Sequence, residues 1–268
     1  RSNNVVVSVD DVTYGAESVV VVSGDVDGIY HVDINGTHLL FNVRNGFDAK
    51  SMFDFDAGSY YANVTFDNGN YVTNAKNATF RVNKALNNVV VSVDVLSAFN
   101  DSVIEVSGDV DGVYYVDVNG TVYNVTVSNG VGNRSVALNA GSYYANVTFA
   151  NDNYATNAKN TTFRVYKADV GLSVEAYDVT YPQNVAGTVY ADIDGDYNLT
   201  IGEYLTTVTV KNGCGDFDAG ILDAGNYTVS VSYPGDLNHN SNSSSLNITV
   251  SKYTPNIDLK VSDINYGE

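Results

Sequence analysis

Three histidines are the side chains of this sequence best suited to acid–base chemistry near neutral pH. Two of them, His31 and His38, are replaced by Tyr115 and Val122 in a second, closely similar stretch of the chain. The third, His239, stands in a stretch rich in Asn and Ser, which predicts an exposed loop. A catalytic centre needs a base and its partners together in one defined pocket. We therefore predict that the chain is not an enzyme.

Closely spaced aspartates are the second feature that could do chemistry. Asp192, Asp194 and Asp196 lie in the sequence Asp-Ile-Asp-Gly-Asp, and shorter Asp pairs stand at the same place in two earlier stretches. Ca²⁺ takes roughly six to eight oxygen ligands, and this run lacks the bidentate Glu of an EF-hand loop. A tight turn built on Asp-Gly accounts for the same residues. We favour the turn, keep Ca²⁺ as the alternative, and expect no required cofactor.

The elements that position these side chains are internal repeats of about 84 residues. The eight residues from Asn3 recur unchanged from Asn87, and the stretch 57–85 matches 140–168 at 24 of 29 positions. A more divergent third copy follows, and the last residues echo the start of a further copy. The predicted domains are repeat 1 over residues 1–85, repeat 2 over 86–168, repeat 3 over 169–252, and the start of a fourth repeat over 253–268.

Each repeat has the sequence pattern of a β-sandwich. About seven alternating or β-branched runs are separated by Asn-Gly, Asp-Gly and similar turn signals, whereas strong helix formers are scarce. Val, Thr and Tyr, which favour strands, are abundant. These features predict an all-β fold of tandem immunoglobulin-like β-sandwiches with about seven strands each.

The most specific local signal is Asp-Ala-Gly-Ser-Tyr, with close variants in the second and third copies. In immunoglobulin-type sandwiches a Tyr near the start of strand F packs inward, and its hydroxyl bonds the backbone of the preceding corner. Tyr60, Tyr143 and Tyr227 fit this tyrosine corner, and we expect them to be buried. The period of two then places Ala62 and Val64 inward and Tyr61 outward.

The order of motifs within a repeat also resembles a known family. Gly-Asp-Val-Asp-Gly, Val-Asn-Gly-Thr, Asp-Ala-Gly-x-Tyr and Phe-Arg-Val-x-Lys-Ala together resemble the immunoglobulin-like repeat of bacterial and archaeal adhesin-like cell-surface proteins. Of the three repeats, the third matches the Tyr-x-Gly-Asp-x-Asn motif of that family best, at residues Tyr233 to Asn238. The bias toward Asn, Tyr and Val is most similar to the adhesin-like proteins of methanogenic archaea. The resemblance implies a location at the cell surface or outside the cell.

This resemblance leads to a functional hypothesis with two alternatives. The hypothesis is a non-catalytic stalk or spacer segment, whose partners are other repeats or copies of the same protein. The first alternative is a module that binds cell-surface glycans or proteins, with outward Tyr61 and Tyr144 as aromatic candidates. The second is a subunit of an extracellular filament assembled by strand pairing.

Charge and hydropathy exclude two classes of partner. The formal net charge of −18 repels phosphate backbones and anionic lipid surfaces, so we expect neither nucleic-acid binding nor direct membrane insertion. No stretch approaches the roughly 20 consecutive apolar residues that span a bilayer.

The residues after repeat 3 carry a strand pattern of their own. Ile257, Leu259 and Val261 alternate with polar residues, which gives one apolar face that a lone strand cannot bury. Pairing of this segment with repeat 3 would contradict the predicted repeat boundary.

Glycosylation is the last hypothesis from sequence. The chain has 13 Asn-x-Ser/Thr sequons, where its composition alone gives roughly five, although duplicated repeats inherit such matches in sets. The candidate acceptors are Asn35, Asn63, Asn77, Asn100, Asn119, Asn124, Asn133, Asn146, Asn160, Asn198, Asn226, Asn242 and Asn247.

Overall fold

The computed structural model describes residues 1–52, 55–157, 159–263 and 266–267, and this part of the chain is all-β. The motif at residues 263–267, which echoes the start of a repeat, includes residues 264 and 265 and so lies partly outside the described residues. Within the described ranges no helix is long and apolar enough to cross a membrane. The fold class predicted from sequence, tandem immunoglobulin-like β-sandwiches, is confirmed by the sheets described below.

The chain divides into two compact units. Residues 1–94, 103–136 and 143–163 form the first unit, and residues 95–102, 137–142 and 164–268 form the second. The first unit contains repeat 1 and most of repeat 2, while the second contains repeat 3 and three short segments of repeat 2. The repeat boundaries given above stay a prediction.

The described residues of repeat 1 form nine strands in two sheets. They are β1 (Ser2–Val9), β2 (Val12–Thr13), β3 (Ser18–Gly24), β4 (Gly28–Ile34), β5 (Thr37–Val43), β6 (Phe47–Met52), β7 (Gly58–Thr65), β8 (Val72–Lys76) and β9 (Ala78–Asn83). One sheet has the order β6-β3-β1-β8 and the other β2-β9-β7-β4-β5. Neighbouring strands are antiparallel except for β1 with β8 and β2 with β9, which are parallel.

In repeat 2 the part of the chain that the structure describes forms eight strands, again in two sheets. They are β10 (Ala85–Asp94), β11 (Ser102–Gly108), β12 (Gly112–Val118), β13 (Thr121–Val127), β14 (Val131–Val136), β15 (Gly141–Phe149), β16 (Tyr154–Asn157) and β17 (Asn160–Val165). Its sheets have the orders β14-β11-β10-β16 and β13-β12-β15-β17. β9 and β10 are separated by Lys84 alone, so the first linker is a single residue.

Repeat 3 also contains eight strands. They are β18 (Leu172–Ala176), β19 (Val179–Thr180), β20 (Asn184–Ala191), β21 (Gly195–Ile201), β22 (Tyr204–Val210), β23 (Cys214–Ile221), β24 (Gly225–Tyr233) and β25 (Asn242–Ser251). A three-stranded sheet, β18-β20-β23, faces a five-stranded sheet, β19-β25-β24-β21-β22. One hydrophobic core receives side chains from both sheets.

The prediction of about seven strands per repeat agrees with the structure, which adds one or two short strands to each repeat. The additional strands are the two-residue β2 and β19 and the short edge strands β8 and β16. Such short pairings leave too little alternation in the sequence to be recognised. The inward face of strand β7 is as predicted, because Ala62 and Val64 are fully buried and Tyr61 is exposed.

The segment after β25 forms no strand between residues 252 and 263. Ile257, Leu259 and Val261 are each more than four-fifths exposed. Within the described residues this segment therefore does not pair with repeat 3. Such pairing would have contradicted the predicted repeat boundary.

Candidate functional site at the junctions between repeats

The histidines of repeat 1 do not form a site together. His31 and Asp33 lie on β4, and the His38 Nδ1 atom on β5 is 2.9 Å from the Asp33 carboxylate at the exposed face of the sheet. An exposed side-chain contact of this kind contributes little to stability.

The three aspartates proposed as Ca²⁺ ligands are not brought together as a site. The Asp192 carboxylate accepts a hydrogen bond from the Gly171 backbone at 2.7 Å, and the Asp196 carboxylate accepts one from the Thr209 hydroxyl at 2.7 Å. In the described part of the chain no group of three or more His, Cys, Asp or Glu side chains is placed to hold a metal ion. The geometry gives the Ca²⁺ hypothesis no support.

The equivalent aspartates of repeat 2 show what these residues do. Asp109 accepts hydrogen bonds from the backbone and side chain of Asn88, and these bonds lower the pKa of its carboxyl. Asp111 accepts bonds from the backbone N–H groups of Asn129 and Gly130, which lower its pKa in the same way. Both carboxylates hold loops against the end of the sandwich, in agreement with a structural role.

The corner tyrosines lie at the ends of the sandwiches. The hydroxyls of Tyr60 and Tyr227 donate to the carbonyl oxygens of Asp56 and Asp223, each at 2.8 Å. The Tyr143 ring stacks on Phe163 with 5.3 Å between centroids. All three rings are half-buried rather than fully buried, which corrects the sequence-based expectation.

The fully buried tyrosines are a different set, which sequence reasoning missed. Tyr30, Tyr114 and Tyr197 have no exposed surface. Each hydroxyl donates to the carbonyl oxygen four residues earlier, at 2.6, 2.7 and 2.8 Å respectively. The signal is present in the sequence, because each of these residues stands two positions after the Asp-Gly of its repeat.

In repeats 1 and 2 a buried asparagine completes this arrangement. Asn87 is fully buried, and its Nδ2 atom donates to the Tyr114 hydroxyl at 2.9 Å while its Oδ1 atom accepts from the Asp109 backbone at 3.1 Å. Asn3 makes the same bonds in repeat 1. In repeat 3 Val170 takes this position, and the Asp192 backbone N–H donates to the Gly171 carbonyl oxygen, as the Asp109 N–H also does to Asn88 in repeat 2.

At the junction of repeats 1 and 2, one asparagine of repeat 2 makes two side-chain hydrogen bonds to repeat 1. The Asn153 Nδ2 atom donates to the Asp56 carboxylate at 2.8 Å, and its Oδ1 atom accepts from the Ala57 backbone at 2.8 Å. Asp56 and Ala57 are the residues that open the tyrosine corner of repeat 1. The Asn153 side chain therefore forms hydrogen bonds with both a carboxylate and a backbone N–H group of repeat 1.

The junction of repeats 2 and 3 has the same contact with different partners. The Asn238 Nδ2 atom donates to the Asn139 side-chain oxygen at 2.9 Å, and its Oδ1 atom accepts from the Ala140 backbone at 2.9 Å. We call Asn153 and Asn238 the junction asparagines. The pairs they bind, Asp56 with Ala57 and Asn139 with Ala140, are the corner residues.

A ring contact accompanies each junction asparagine. Tyr154, the next residue after Asn153, meets the edge of Tyr14 in repeat 1 with 5.4 Å between centroids. His239, the next residue after Asn238, stacks on Phe99 in repeat 2 at 4.7 Å. Both contacts lie in the range where aromatic pairs are attractive.

Further ring contacts connect Tyr154 and His239 with the buried tyrosines of their own repeats. Tyr154 contacts Phe149, and Phe149 stacks on Tyr114 at 4.5 Å. In repeat 3 the same series runs from His239 through Tyr233 to Tyr197. A continuous series of ring contacts thus connects the core of each later repeat with an aromatic ring of the repeat before it.

His239 is not the exposed loop residue that the sequence predicted. Its side chain is 14% exposed, and its Nδ1 atom lies 2.8 Å from the Asp236 carboxylate. The same carboxylate accepts from the backbone N–H groups of Asn238 and His239, and the Tyr233 hydroxyl also donates to it. The pKa of the Asp236 carboxyl lies well below its usual range, chiefly because of the hydrogen bond with the His239 side chain.

The loop that carries the junction asparagine is fixed within its own repeat. In repeat 2 the Asn153 backbone N–H donates to the Asn151 side-chain oxygen at 3.0 Å, and in repeat 3 Asn238 donates to Asp236 at 2.7 Å. The asparagine therefore needs no rearrangement of its loop to reach the preceding corner.

The sequon asparagines differ in how accessible they are. Exposed ones are Asn35, Asn100, Asn119, Asn124, Asn133, Asn160, Asn198, Asn226, Asn242 and Asn247, and half-buried ones are Asn63, Asn77 and Asn146. Asn77 also accepts from the Val64 backbone and donates to the Tyr61 hydroxyl. Glycosylation itself stays a prediction.

Comparison with known proteins gives no family assignment. No protein-family model matches the chain, and no curated protein matches it. Among solved structures, the Escherichia coli adhesin FdeC is 13% identical with a TM-score of 0.37, and the match covers 92% of this chain and 96% of that one. The bacterial integrin-binding protein invasin is 10% identical with a TM-score of 0.39, over 94% of this chain.

A third similar structure contains immunoglobulin domains 1–5 of Sidekick-1, with 12% identity, a TM-score of 0.35 and 94% of this chain covered. The chain spans 60% of the length of the Sidekick-1 and invasin structures. With TM-scores below 0.5, these similarities carry no functional argument, and the fold assignment depends on the sheets of this chain.

Proposed function

We propose that the chain is a structural spacer segment of a cell-surface, adhesin-like protein, without a catalytic role. The observation that carries the proposal is the repeated junction contact, in which a junction asparagine and the ring after it bind the preceding repeat.

The linkers support the same function. Lys84 alone separates β9 from β10, so the two repeats have little freedom to swing apart. At the second junction the Ala168 backbone donates to Asn238, and the Asn240 backbone donates to Ala168, so the linker itself is hydrogen-bonded to repeat 3. Short, hydrogen-bonded linkers restrict the movement of one repeat relative to the next.

The surface charge fits an extracellular spacer. With a formal net charge of −18, neighbouring copies repel one another and stay in solution. An archaeal source, close to the adhesin-like proteins of methanogens, and glycan chains on the exposed sequons are further parts of this proposal, supported by sequence composition and sequon number.

Two experiments test the proposal. Antibodies raised against the chain should label intact cells of the source, and protease treatment of intact cells should remove the label. Small-angle scattering should give a wider distribution of shapes for the double variant N153A/N238A than for the wild type. Asn70→Ala is the matched control, since Asn70 occupies the same loop position in repeat 1 and its side chain makes no hydrogen bond to another repeat among the described residues. Labelling only after lysis would contradict the surface location, and equal scattering of all three proteins would contradict the spacer mechanism.

Exposed aromatic residues favour a second candidate, a binding module. Tyr61 and Tyr144 occupy equivalent outward positions and are 49% and 44% exposed. The backbone N–H of each donates to a turn asparagine, Asn35 or Asn119, which fixes the strand that carries it. A glycan array probed with the chain and with Y61A/Y144A decides between the two, because a spacer gives no signal with either protein.

A further inference from the structure

Five Asn-Gly pairs of this chain form two-residue hairpin turns with the same backbone shape. In each turn the asparagine has a φ between 47° and 54° and the glycine a φ between 86° and 94°, the left-handed values of a type I′ turn. All five asparagines are exposed, and they are Asn35, Asn45, Asn119, Asn129 and Asn212. Backbone shape and accessibility therefore do not distinguish the five asparagines, whereas their hydrogen bonds do.

An asparagine followed by glycine can lose its side-chain amide without an enzyme, and asparagine is one of the thermolabile residues for this reason. The glycine nitrogen attacks the asparagine Cγ, the Cγ–Nδ2 bond breaks, and ammonia leaves with the proton of the glycine N–H. Water opens the resulting succinimide to aspartate or isoaspartate, so one water is consumed for each ammonia released. The reaction requires Cγ to approach the glycine nitrogen and that nitrogen to give up its proton.

The turn between β4 and β5 opposes both requirements. The Asn35 Oδ1 atom accepts from the Tyr61 backbone N–H on β7 at 3.0 Å, which ties the side chain to the next strand. The Gly36 N–H donates to the Asp33 carboxylate at 3.1 Å. A bond to a charged acceptor is among the stronger hydrogen bonds, so the attacking nitrogen is held in its protonated form.

The turn between β12 and β13 of repeat 2 is held in the same way. The Asn119 Oδ1 atom accepts from the Tyr144 backbone N–H at 2.8 Å, and the Gly120 N–H donates to the Asp117 carboxylate at 2.7 Å. Gly36 and Gly120 are both exposed, so accessibility alone would make these two turns reactive. Their hydrogen bonds predict the opposite.

The turns from β5 to β6 and from β22 to β23 lack both restraints. In the described part of the chain the side chains of Asn45 and Asn212 make no hydrogen bond, and the N–H groups of Gly46 and Gly213 have no acceptor. The asparagine side chain can therefore rotate toward the glycine nitrogen without breaking a bond.

The corresponding turn of repeat 2 has one of the two restraints. The Asp111 carboxylate accepts from the backbone N–H groups of Asn129 and Gly130, at 3.0 and 3.1 Å. Asp27 and Asp194 occupy the place of Asp111 in the other repeats, and within the residues that the structure describes neither accepts a bond from its turn. Repeat 2 thus provides an intermediate case.

We propose that Asn45 and Asn212 are sites of spontaneous deamidation in the folded protein, and that hydrogen bonds protect Asn35 and Asn119 from the same reaction. Each event adds one negative charge, and isoaspartate lengthens the backbone of a turn that sets the register of its hairpin. Both reactive turns lead into an edge strand, β6 or β23. The inference goes beyond the spacer function, because it concerns a chemical change of the chain with time.

The test measures deamidation at each site by peptide mapping and mass spectrometry during incubation at mildly alkaline pH. The protein comes from a host that does not glycosylate asparagine, because Asn35 and Asn119 also lie in sequons. The same sites are followed in protein unfolded in urea, and each rate in the folded protein is divided by the rate in urea. This ratio removes the effect of the neighbouring residues in sequence.

In the wild type we expect the ratios at Asn45 and Asn212 to exceed those at Asn35 and Asn119 by at least about threefold, a factor that a single hydrogen bond can supply. The ratio at Asn129 should lie between the two groups. Equal ratios at all five sites, or the highest ratio at Asn35 or Asn119, would overturn the proposal without any variant being made.

A pair of variants tests the role of the carboxylate. Asp111→Ala should raise the ratio at Asn129 at least about threefold and leave that at Asn119 unchanged, which verifies that repeat 2 stays folded. Asp27→Ala is the matched control and should leave the ratio at Asn45 unchanged. An Asn129 ratio that Asp111→Ala does not alter would contradict protection by hydrogen bonds. None of these results would affect the spacer function, which rests on the contacts between repeats.

Discussion

The side chain of Asn153 donates a 2.8 Å hydrogen bond to the carboxylate of Asp56, which lies 97 residues earlier in the chain. Asn153 belongs to repeat 2 and Asp56 to the tyrosine corner of repeat 1. Asn238 makes the corresponding bond to Asn139 at the next junction. The corner motif therefore has two functions, since it closes its own sandwich through the tyrosine and presents a binding surface to the following repeat.

The buried and the half-buried tyrosines should differ in their contribution to stability. Tyr30→Phe leaves the Val26 carbonyl oxygen and the Asn3 amide without their buried partner, and should lower the free energy of unfolding by about 1–3 kcal/mol. Tyr60→Phe removes a bond at the partly exposed corner and should cost about 0.5–1.5 kcal/mol. Urea unfolding followed by tyrosine fluorescence measures both. A larger loss for Tyr60→Phe would show that the corner, and not the buried set, governs stability.

Gly108 should be required because of Tyr114. A Cβ atom at Gly108 would overlap the Tyr114 hydroxyl, which is buried and cannot move away. Gly108→Ala should therefore destabilise repeat 2 by about 1–3 kcal/mol, the usual cost of overpacking a core. Adding Tyr114→Phe removes the overlapping oxygen, so the double variant should lose less than the sum of the two single variants. Additive losses would mean that the glycine is needed for another reason.

Acid should weaken repeat 3 through Asp236. Its carboxyl pKa is lowered in the folded state, chiefly by His239, so the folded protein resists protonation that the unfolded chain accepts near 3.8. The stabilisation is thus complete above about pH 4 and is lost as the pH falls toward the folded-state pKa. The thermal midpoint of wild type should fall more between pH 5 and pH 3 than that of Asp236→Asn. An equal fall in both proteins would contradict this assignment.

Native material should carry glycans on exposed sequons. Asn124, Asn133 and Asn198 are exposed and lie on strands, whereas the amide of Asn77 is half-buried and bonded to Tyr61. We expect intact mass above the polypeptide's 28.7 kDa, with peptide mapping that finds sugar at the exposed sites and none at Asn77. A native mass equal to that of the polypeptide would end the hypothesis.

The fold could be predicted from the sequence because its signals are local and occur three times. Alternating runs, Asn-Gly turns and the Asp-Ala-Gly-x-Tyr motif each predict strands and corners without knowledge of distant residues. Tyr30 was missed because an inward strand residue looks the same in sequence whether or not its hydroxyl has a partner. Its bond to Asn3 joins two strands and is visible only after folding.

The junctions could not be predicted for a similar reason. Asn153 belongs to a polar loop, and polar loop residues are normally solvated. Only the fold brings this loop against Asp56 and Ala57, 97 and 96 residues earlier in sequence. His239 shows the same limit, because its sequence neighbours are polar while its ring partner, Phe99, comes from the preceding repeat. Recurrence of Asn70, Asn153 and Asn238 at one loop position was the signal available in the sequence.

The most direct test of the account is a distance measurement between repeats 1 and 2 by pulsed electron paramagnetic resonance. Spin labels are attached at Thr79→Cys and Thr126→Cys, two exposed strand positions, in a Cys214→Ser background. We predict one narrow distance distribution for this protein and for its Asn70→Ala variant, and a clearly broader one when Asn153→Ala is added. Equal widths with and without Asn153, or a broad distribution in the parent protein, would contradict the claim that the junction asparagine holds successive repeats in place.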